Sequence, residues 1–210
     1  MPAELEATLD VAGLDEEYPD IDAVDLTGEA IALPGARTVD VLRSRLTSCT
    51  IDAPAGTPLE LRDAELRDVD LTGWRIVGAV RVRLVRCRLA GADLSDATLE
   101  DVVFDDCALD LASWRLARAR RVAVTGGRLD GLDATGARLG DVELSDVSLA
   151  DVVLDGVRCE RVDLTGADLT AVRHVAGLSG TTISAAQAVA LAGRLASGLG
   201  IEVVGLDASV

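Results

Sequence analysis

Apolar residues recur at every fifth position along the second half of this chain. Stepping by five from Leu84 to Leu169 meets only apolar residues, and the residue two places before each is apolar or glycine. Five is the period of neither a strand nor a helix. In an extended segment, however, residues two apart share a face, so both members of each pair point inward and the residue between them points to solvent.

The two remaining residues of each step must turn the chain. Gly, Asp, Ser and Thr crowd these positions, as in Ser95–Asp96 and Thr165–Gly166, and these residue types favour turns. Corners that all turn the same way wind the chain into a coil whose turns stack by backbone hydrogen bonds. The pattern predicts an all-β solenoid with an unbroken register over residues 82–171. An earlier register, offset in phase, covers 24–71, and the break at 74–83 predicts a bulge or corner loop.

Two segments carry a family resemblance. LAGADLSDATLEDVVF (89–104) and ERVDLTGADLT (160–170) resemble the A-(D/N)-L-x-x signature of pentapeptide-repeat proteins. The resemblance implies a right-handed quadrilateral β-helix with about 20 residues per coil, so that residues 20 apart are vertical neighbours. On that rule Trp114 lies between Leu94 and Ala134, and Cys87 stacks on Cys107.

The rest of the chain divides around this region. We expect an acidic N-terminal tail or cap at 1–20, irregular N-terminal coils at 21–81 and a C-terminal helix and strand at 172–210. Ser184 and Gln187 predict a capping box that opens a helix through about Ser197, with Gly198 and Gly200 as stops. IEVV (201–204) predicts a short strand.

The predicted helix is apolar nearly all round, with Arg194 as its single charge. Such a helix must be covered on more than one side. We expect one side to close the solenoid and the other to be covered by a second subunit, giving a homodimer; the alternative is a monomeric cap packed under the N-terminal tail. The segment also resembles the dimerisation region of actinobacterial pentapeptide-repeat proteins. The predicted dimer interface consists of Val189, Leu191, Leu195, Leu199 and Ile201.

Composition limits the partners. The chain of 210 residues has 36 acidic and 20 basic residues and a formal net charge of −16. This charge argues against nucleic acid or a membrane as a ligand and allows a basic protein partner, although it also simply favours solubility. The N-terminus has neither a basic residue nor an apolar run, so we expect a cytoplasmic protein with four reduced cysteines.

Enzymatic chemistry is not favoured. All basic residues are arginine, so no lysine can act on phosphate or as a base, and the single histidine, His174, falls where the repeat decays. Asp and Glu residues are predicted to face outward on a solenoid that has no cleft. We therefore expect a noncatalytic protein without cofactor or metal.

Two functions remain open. The first is an interaction scaffold for an unidentified partner, with the acidity serving solubility. The second follows from the resemblance, because some pentapeptide-repeat proteins resemble B-form DNA in size and charge and bind DNA gyrase or topoisomerase IV. The acidic surface predicted for it comprises Asp93, Asp96, Asp105, Asp106, Asp146, Asp151, Asp163 and Asp168.

One face cannot imitate phosphates. Arg118, Arg138 and Arg158 are predicted to form a vertical basic column. Beside them Asp101, Arg121, Asp141 and Arg161 alternate in sign, which indicates structural pairing. The mimic surface, if present, must therefore lie on the other faces.

Overall fold

A computed structural model describes residues 14–172 and 175–202. It is a right-handed, four-sided β-solenoid closed by one C-terminal helix, as predicted. Neighbouring strands are parallel and come from successive coils, so the chain climbs one strand spacing, about 4.8 Å, per coil. The strands are β1 (Asp20–Asp22), β2 (Asp25–Thr27), β3 (Ala30–Ala32), β4 (Val39–Leu42), β5 (Arg45–Thr47), β6 (Thr50–Asp52), β7 (Pro58–Arg62), β8 (Glu65–Arg67), β9 (Arg75–Val85), β10 (Thr98–Ala108), β11 (Arg118–Arg128), β12 (Arg138–Ser148), β13 (Arg158–Asp168) and β14 (Thr181–Thr182).

Vertical neighbours are separated by twenty residues in most coils, as in the pair Val122 and Val142. One coil is shorter, because Leu61 pairs with Ala79 and Leu66 with Leu84. The register between β7 and β9 shifts just after Leu59. The apolar register advances by three residues from Ile76 to Ala79 instead of by five, so one corner is lost. This irregularity lies in the predicted 74–83 break and explains the phase offset of the two registers.

The inward pairs build one continuous aliphatic core. Leu149 and Leu164 are buried, while Leu144 and Leu154 are partly buried and pack against the same cluster. Trp114 departs from this aliphatic pattern because its side chain is a large aromatic ring. Its backbone N–H donates to the carbonyl oxygen of Asp133 on the next coil, and its ring centroid lies 5.9 Å from that of Phe104. Its indole N–H has no hydrogen-bond partner within the described residues.

The end of the solenoid is covered by a short helical segment. A 3-10 helix (Val175–Leu178) precedes β14, and α1 spans Ala185–Gly198. The predicted capping box is present: the Ser184 backbone N–H donates to Gln187 Oε1 at 2.6 Å and the Gln187 N–H donates to Ser184 Oγ at 3.2 Å. Gly200, at a φ of +73°, ends the helix in the left-handed conformation that glycine adopts most easily.

The described residues test only part of what is predicted for the two chain ends. The strand predicted at 201–204 is wrong for residues 201 and 202, which are not in a strand. Residues 203 and 204 lie outside the described residues, as do His174 and most of the predicted N-terminal tail. No helix in the described part of the chain is long and apolar enough to cross a membrane.

Candidate interaction surface

The outward residues of the coils form four faces. In the coil 97–116, face 1 comprises 97–101, face 2 comprises 102–106, face 3 comprises 107–111 and face 4 comprises 112–116. The last residue of each face is a corner residue with positive φ: Asp101, Asp106, Leu111 and Leu116. Residues that pair vertically with these positions belong to the same face in other coils.

In one column of face 1, acidic residues lie near the N-terminal end of the solenoid and basic residues near the C-terminal end. Its eight residues are vertical neighbours through successive strand pairs, and we call them the face 1 column: Asp20, Asp40, Glu60, Gly78, Thr98, Arg118, Arg138 and Arg158. Three carboxylates therefore stack at the N-terminal end and three guanidinium groups at the C-terminal end. The arginine column that the sequence predicted is confirmed, and the structure extends it downward into an acidic one.

The corner between faces 1 and 2 has the opposite organisation. Its residues alternate in sign over the height of the solenoid, and we call them the corner ladder: Arg43, Asp63, Arg81, Asp101, Arg121, Asp141 and Arg161. Arg81 and Arg121 each bind the aspartate one coil below through both nitrogens of one guanidinium edge, with Nη2–Oδ2 distances of 2.7 and 2.9 Å. The alternation predicted for the last four members is confirmed.

These ion pairs affect the ionisation of the ladder. Hydrogen bonds from Arg81, Arg121 and Arg161 hold the pKa values of the Asp63, Asp101 and Asp141 carboxyl groups below their usual range. The ladder carboxylates thus stay charged and are satisfied within the protein. Because a satisfied carboxylate offers little to a partner, the corner ladder is a structural feature.

Face 2 and the corner that follows it carry the densest acidic surface of the C-terminal coils. Glu143 and Asp163 are vertical neighbours, and both are exposed. Asp106 and Asp146 are exposed corner residues with positive φ. Asp105 belongs to this face but is bound to Arg83 at 2.5 Å. We call Asp105, Asp106, Glu143, Asp146 and Asp163 the acidic face.

The eight predicted acidic residues do not form one surface. Asp105, Asp106, Asp146 and Asp163 share the acidic face. The other four are separated from it by corners: Asp93 and Asp96 belong to face 4, Asp151 to the corner between faces 3 and 4, and Asp168 to face 3. Glu143 was missed as a member, although its position twenty residues before Asp163 gave the signal.

Three of the predicted residues shape the chain as well as its charge. The carboxylates of Asp93, Asp163 and Asp168 accept the backbone N–H two residues ahead, from Ser95, Thr165 and Thr170, at 2.8–2.9 Å. Hydrogen bonds with these residues hold the pKa values of the three carboxyl groups below their usual range. Such local bonds are typical of turn-forming aspartates.

The predicted dimer residues lie on α1 and just after its end, and they do not all face the same way. Val189 and Leu199 are each 77% exposed and Ile201 is 56% exposed, so these three face outward. Leu191 is 1% exposed, and the prediction that it faces a second subunit is wrong, because its side chain packs on the core. Leu195 is half-buried against the same core.

The inner side of α1 also carries polar contacts to the last coil. Gln187 Nε2 donates to the carbonyl oxygens of Leu164 and Ala167, both at 2.7 Å, and Arg194 Nη1 donates to the carbonyl of Thr170 at 2.5 Å. The helix therefore satisfies carbonyl groups of the last coil that have no following coil to receive them.

The thiols and carboxylates offer little chemistry. Cys49, Cys87 and Cys107 are buried, Cys159 is half-buried, and all four are free. The contact with Cys87 and burial raise the pKa of the Cys107 thiol, which keeps it protonated. Across residues 14–172 and 175–202 no group of three His, Cys, Asp or Glu residues is placed to hold a metal ion.

A parallel β-solenoid with five-residue sides is the fold of pentapeptide-repeat β-helices. Residues 80–113 and 135–170 match the family model for pentapeptide repeats, in eight copies. The matched segments are pentapeptide repeats, which confirms the resemblance. A search of curated proteins found no match.

Two solved structures illustrate the range of similarity. A trypsin-treated variant of QnrB1, described as a plasmid-mediated fluoroquinolone resistance protein, is 18% identical with a TM-score of 0.55 and covers 96% of this chain and 100% of its own. HetL, a pentapeptide repeat protein involved in heterocyst differentiation regulation in the cyanobacterium Nostoc, is 21% identical with a TM-score of 0.31, covering 81% of this chain and 87% of its own. The similarity to QnrB1 shows a shared fold.

Proposed function

We propose that this protein is a noncatalytic interaction scaffold that binds a basic surface of a partner protein through the acidic face. The observation that carries the proposal is the vertical pair Glu143 and Asp163. Like charges directly opposite each other on neighbouring strands destabilise a sheet. No arginine in the described coils forms an ion pair with either residue, whereas the corner ladder beside them pairs its carboxylates. Asp163 also accepts the backbone N–H of Thr165, so it is the charge of Glu143 above all that is better explained by binding than by folding.

The rest of the surface supports this choice of face. The upper half of face 1 presents arginines, and the corner ladder is neutralised internally. Asp146 and Asp106 extend the charge of Glu143 and Asp163 across the next corner, over several coils. A basic protein groove that contacts this side meets Glu143 and Asp163 at one strand spacing, and Asp106 two coils below Asp146.

The scaffold proposal is tested by comparing captured partners. Tagged wild-type protein, a face 2 variant (Glu143→Gln, Asp146→Asn, Asp163→Asn) and a matched variant with three neutralised carboxylates on other faces (Asp93→Asn, Asp96→Asn, Asp168→Asn) are each used to capture proteins from the native host. Mass spectrometry should find a set retained by wild type and the matched variant and lost with the face 2 variant. Identical sets for all three proteins contradict the role of the acidic face.

A second candidate names the partner as a type II topoisomerase, with the acidic face in place of DNA phosphates. The family resemblance supports it, and QnrB1, which shares the fold, is described as a fluoroquinolone resistance protein. Purified protein should then inhibit DNA supercoiling by gyrase, or protect gyrase from a quinolone, at micromolar concentration. The face 2 variant should lose this effect while the matched variant keeps it. Unchanged gyrase activity with wild-type protein removes this candidate and leaves the scaffold.

We propose further that two copies associate through the outer side of α1. Val189 on α1 and Leu199 and Ile201 just after its end are exposed, and we expect a second copy to cover them by twofold symmetry. Light scattering of the full chain should give twice the monomer mass, and the Val189→Asp, Leu199→Asp variant should give the monomer mass. A monomeric wild type contradicts the dimer. We also propose a cytoplasmic location, supported by the four free thiols, which stay reduced in that compartment.

A further inference from the structure

The C-terminal half of the face 1 column stacks three like charges. Arg118, Arg138 and Arg158 are successive vertical neighbours, so their backbones lie about 4.8 Å apart, and all three side chains are exposed. None of them has a side-chain hydrogen bond or an ion pair within the part of the chain that the structure describes. Such a stack costs stability, and the neighbouring corner ladder shows that this fold readily alternates Asp and Arg instead.

The carboxylates nearest to the stack already have partners. Arg121 binds Glu100 and Asp101, and Arg161 binds Asp141 and Glu160. Arg120, which lies beside the stack on the same face, is exposed and has no hydrogen-bond or ion-pair partner among the described residues. Its charge does help, after the hydrogen bonds already described, to lower the pKa values of Asp101 and Asp141. The charge without an ion-pair partner in the described residues is therefore mainly that of the three stacked guanidinium groups, in a protein whose net charge is −16.

These arginines line a groove of about 550 Å³ together with Gly140, Arg161 and Glu160, and Glu160 is already bound to Arg161. Gly140 stands between Arg120 and Glu160 in its vertical column. A Cβ placed on it would lie 3.7 Å from Arg120 Cγ and 3.9 Å from the Ala119 carbonyl oxygen, which are ordinary contacts. Neither the backbone nor the packing therefore requires glycine here. Its effect is to leave the space between the arginines open.

We propose that this arginine groove (Arg118, Arg120, Arg138 and Arg158 around Gly140) binds a compact polyanion with two or three linked phosphate groups. Guanidinium groups bind phosphate oxygens through pairs of parallel hydrogen bonds. From Arg118 to Arg158 the stack spans two strand spacings, about 10 Å, which suits a short phosphate chain. Sites that hold small ligands typically have volumes of a few hundred Å³.

The surroundings select the size of the ligand. A nucleic acid gains affinity by contacting many phosphates along its length, and the groove offers four arginines between Glu100 below and Glu160 above. An extended polyanion would pass from the groove onto the acidic surface and be repelled there. A small phosphate compound remains inside the positive field. Binding also relieves the mutual repulsion of the arginines, so the ligand stabilises the stack.

The test is calorimetric titration of the full chain with sodium triphosphate and with pyrophosphate, in low salt with a chelator. We expect saturable one-to-one binding that is at least about tenfold tighter than that of orthophosphate, because several guanidinium groups act together. The Arg118→Gln, Arg138→Gln variant should weaken binding by about tenfold or more, and Gly140→Glu should do the same by filling and neutralising the groove. Titration with ADP separates the sources: tighter binding than pyrophosphate identifies a nucleotide, and equal binding identifies the phosphate chain alone.

Two variants serve as controls. Arg88→Gln removes one exposed arginine elsewhere, and Gly140→Ala adds a methyl group with room to spare; both should bind triphosphate within about twofold of wild type. Thermal unfolding gives an independent readout: without ligand, Arg138→Gln should melt higher than wild type, and triphosphate should raise the melting temperature of wild type but not of the double variant. Absence of saturable binding to wild type, or an equal loss with Arg88→Gln, overturns the proposal.

Discussion

At the scale of single residues, charge rather than shape distinguishes one coil from another. The core positions are nearly interchangeable aliphatic residues, whereas the outward positions create specific stacks. Asp40 lies between Asp20 and Glu60 in the face 1 column. Burial, reinforced by the charges of Glu60 and Asp20, raises the pKa of the Asp40 carboxyl. This is the acidic counterpart of the arginine stack, and it should destabilise the folded state at neutral pH.

The Asp40→Asn variant should therefore be more stable than wild type at pH 7, by about 0.5–1 kcal/mol. The pKa of Asp40 is higher in the folded state than in the unfolded state, so its charge penalises folding above the unfolded value and the penalty falls as pH drops through the raised value. The gain should consequently shrink towards zero near pH 3. Urea denaturation at both pH values measures it, with Asp52→Asn as an exposed control on another strand. Equal stabilities of Asp40→Asn and wild type at pH 7 refute the stack repulsion.

At the scale of elements, α1 covers the C-terminal end of the solenoid, and its packing on the last coil depends on Gln187. One side chain completes the capping box and also donates to two carbonyl groups of the last coil. Gln187 therefore links the N-terminus of α1 to the last coil of the solenoid. The apolar part of the same contact is provided by Leu191 and, in part, by Leu195.

Replacing Gln187 by Ala should lower the free energy of unfolding by about 1–3 kcal/mol, since the side-chain bond to the Ser184 N–H and both bonds to the last coil are lost. Gln187→Glu separates the two roles. A glutamate at this helix position keeps the capping box but cannot donate to the carbonyls of Leu164 and Ala167. If closure of the solenoid is the larger contribution, Glu should cost at least as much as Ala in chemical denaturation. A Glu variant as stable as wild type assigns the residue to the capping box alone.

At the scale of the whole molecule, each coil contacts only the coils directly above and below it. Stability in such a stack is close to a sum of coil and interface contributions, so its ends open more easily than its middle. The four cysteines lie in different coils of the stack. Cys159 is half-buried in one of the last coils, and Cys49, Cys87 and Cys107 are buried lower down.

Thiol modification under native conditions should thus follow position in the stack. Cys159 is expected to react first. Cys49 lies in the second described coil and should follow through opening of the N-terminal end, while Cys87 and Cys107, in the middle of the stack, should react only at the rate of global unfolding. Gln187→Ala should speed the reaction of Cys159 and leave that of Cys49 nearly unchanged. Mass spectrometry of peptides after timed labelling measures each site. Simultaneous labelling of all four thiols indicates that the solenoid opens as one unit.

Much of this architecture is predictable because the same pattern of inward, outward and turn residues recurs in each coil. The pairing of small and large apolar residues assigned inward and outward positions correctly. The spacing of twenty residues between vertical neighbours placed Arg118 above Thr98 and below Arg138. The same rule fails across the short coil, where Ile76 and Ala79 are three residues apart. For that reason the continuity from Glu60 through Gly78 to Thr98, and with it the charge separation of the face 1 column, did not follow from counting.

The candidate site was less predictable. Asp93 and Asp163 look alike in sequence, yet they lie on different faces, because the face depends on the position of a residue within its coil. Leu191 and Val189 are equally apolar members of one helix that lacks a polar side. Which of them packs inward depends on how the helix settles on the last coil, so Leu191 was assigned to the wrong side.

The sequence by itself determined the solenoid, its capping box and the alternating charges of the corner ladder, since each depends on spacings within one coil or between coils of constant length. Only the tertiary structure decided how the outward columns continue across the short coil, which side of α1 is free and how the arginine groove opens above Gly140. These features arise from contacts between residues whose vertical register is set by the whole stack, including the one coil that departs from the repeat.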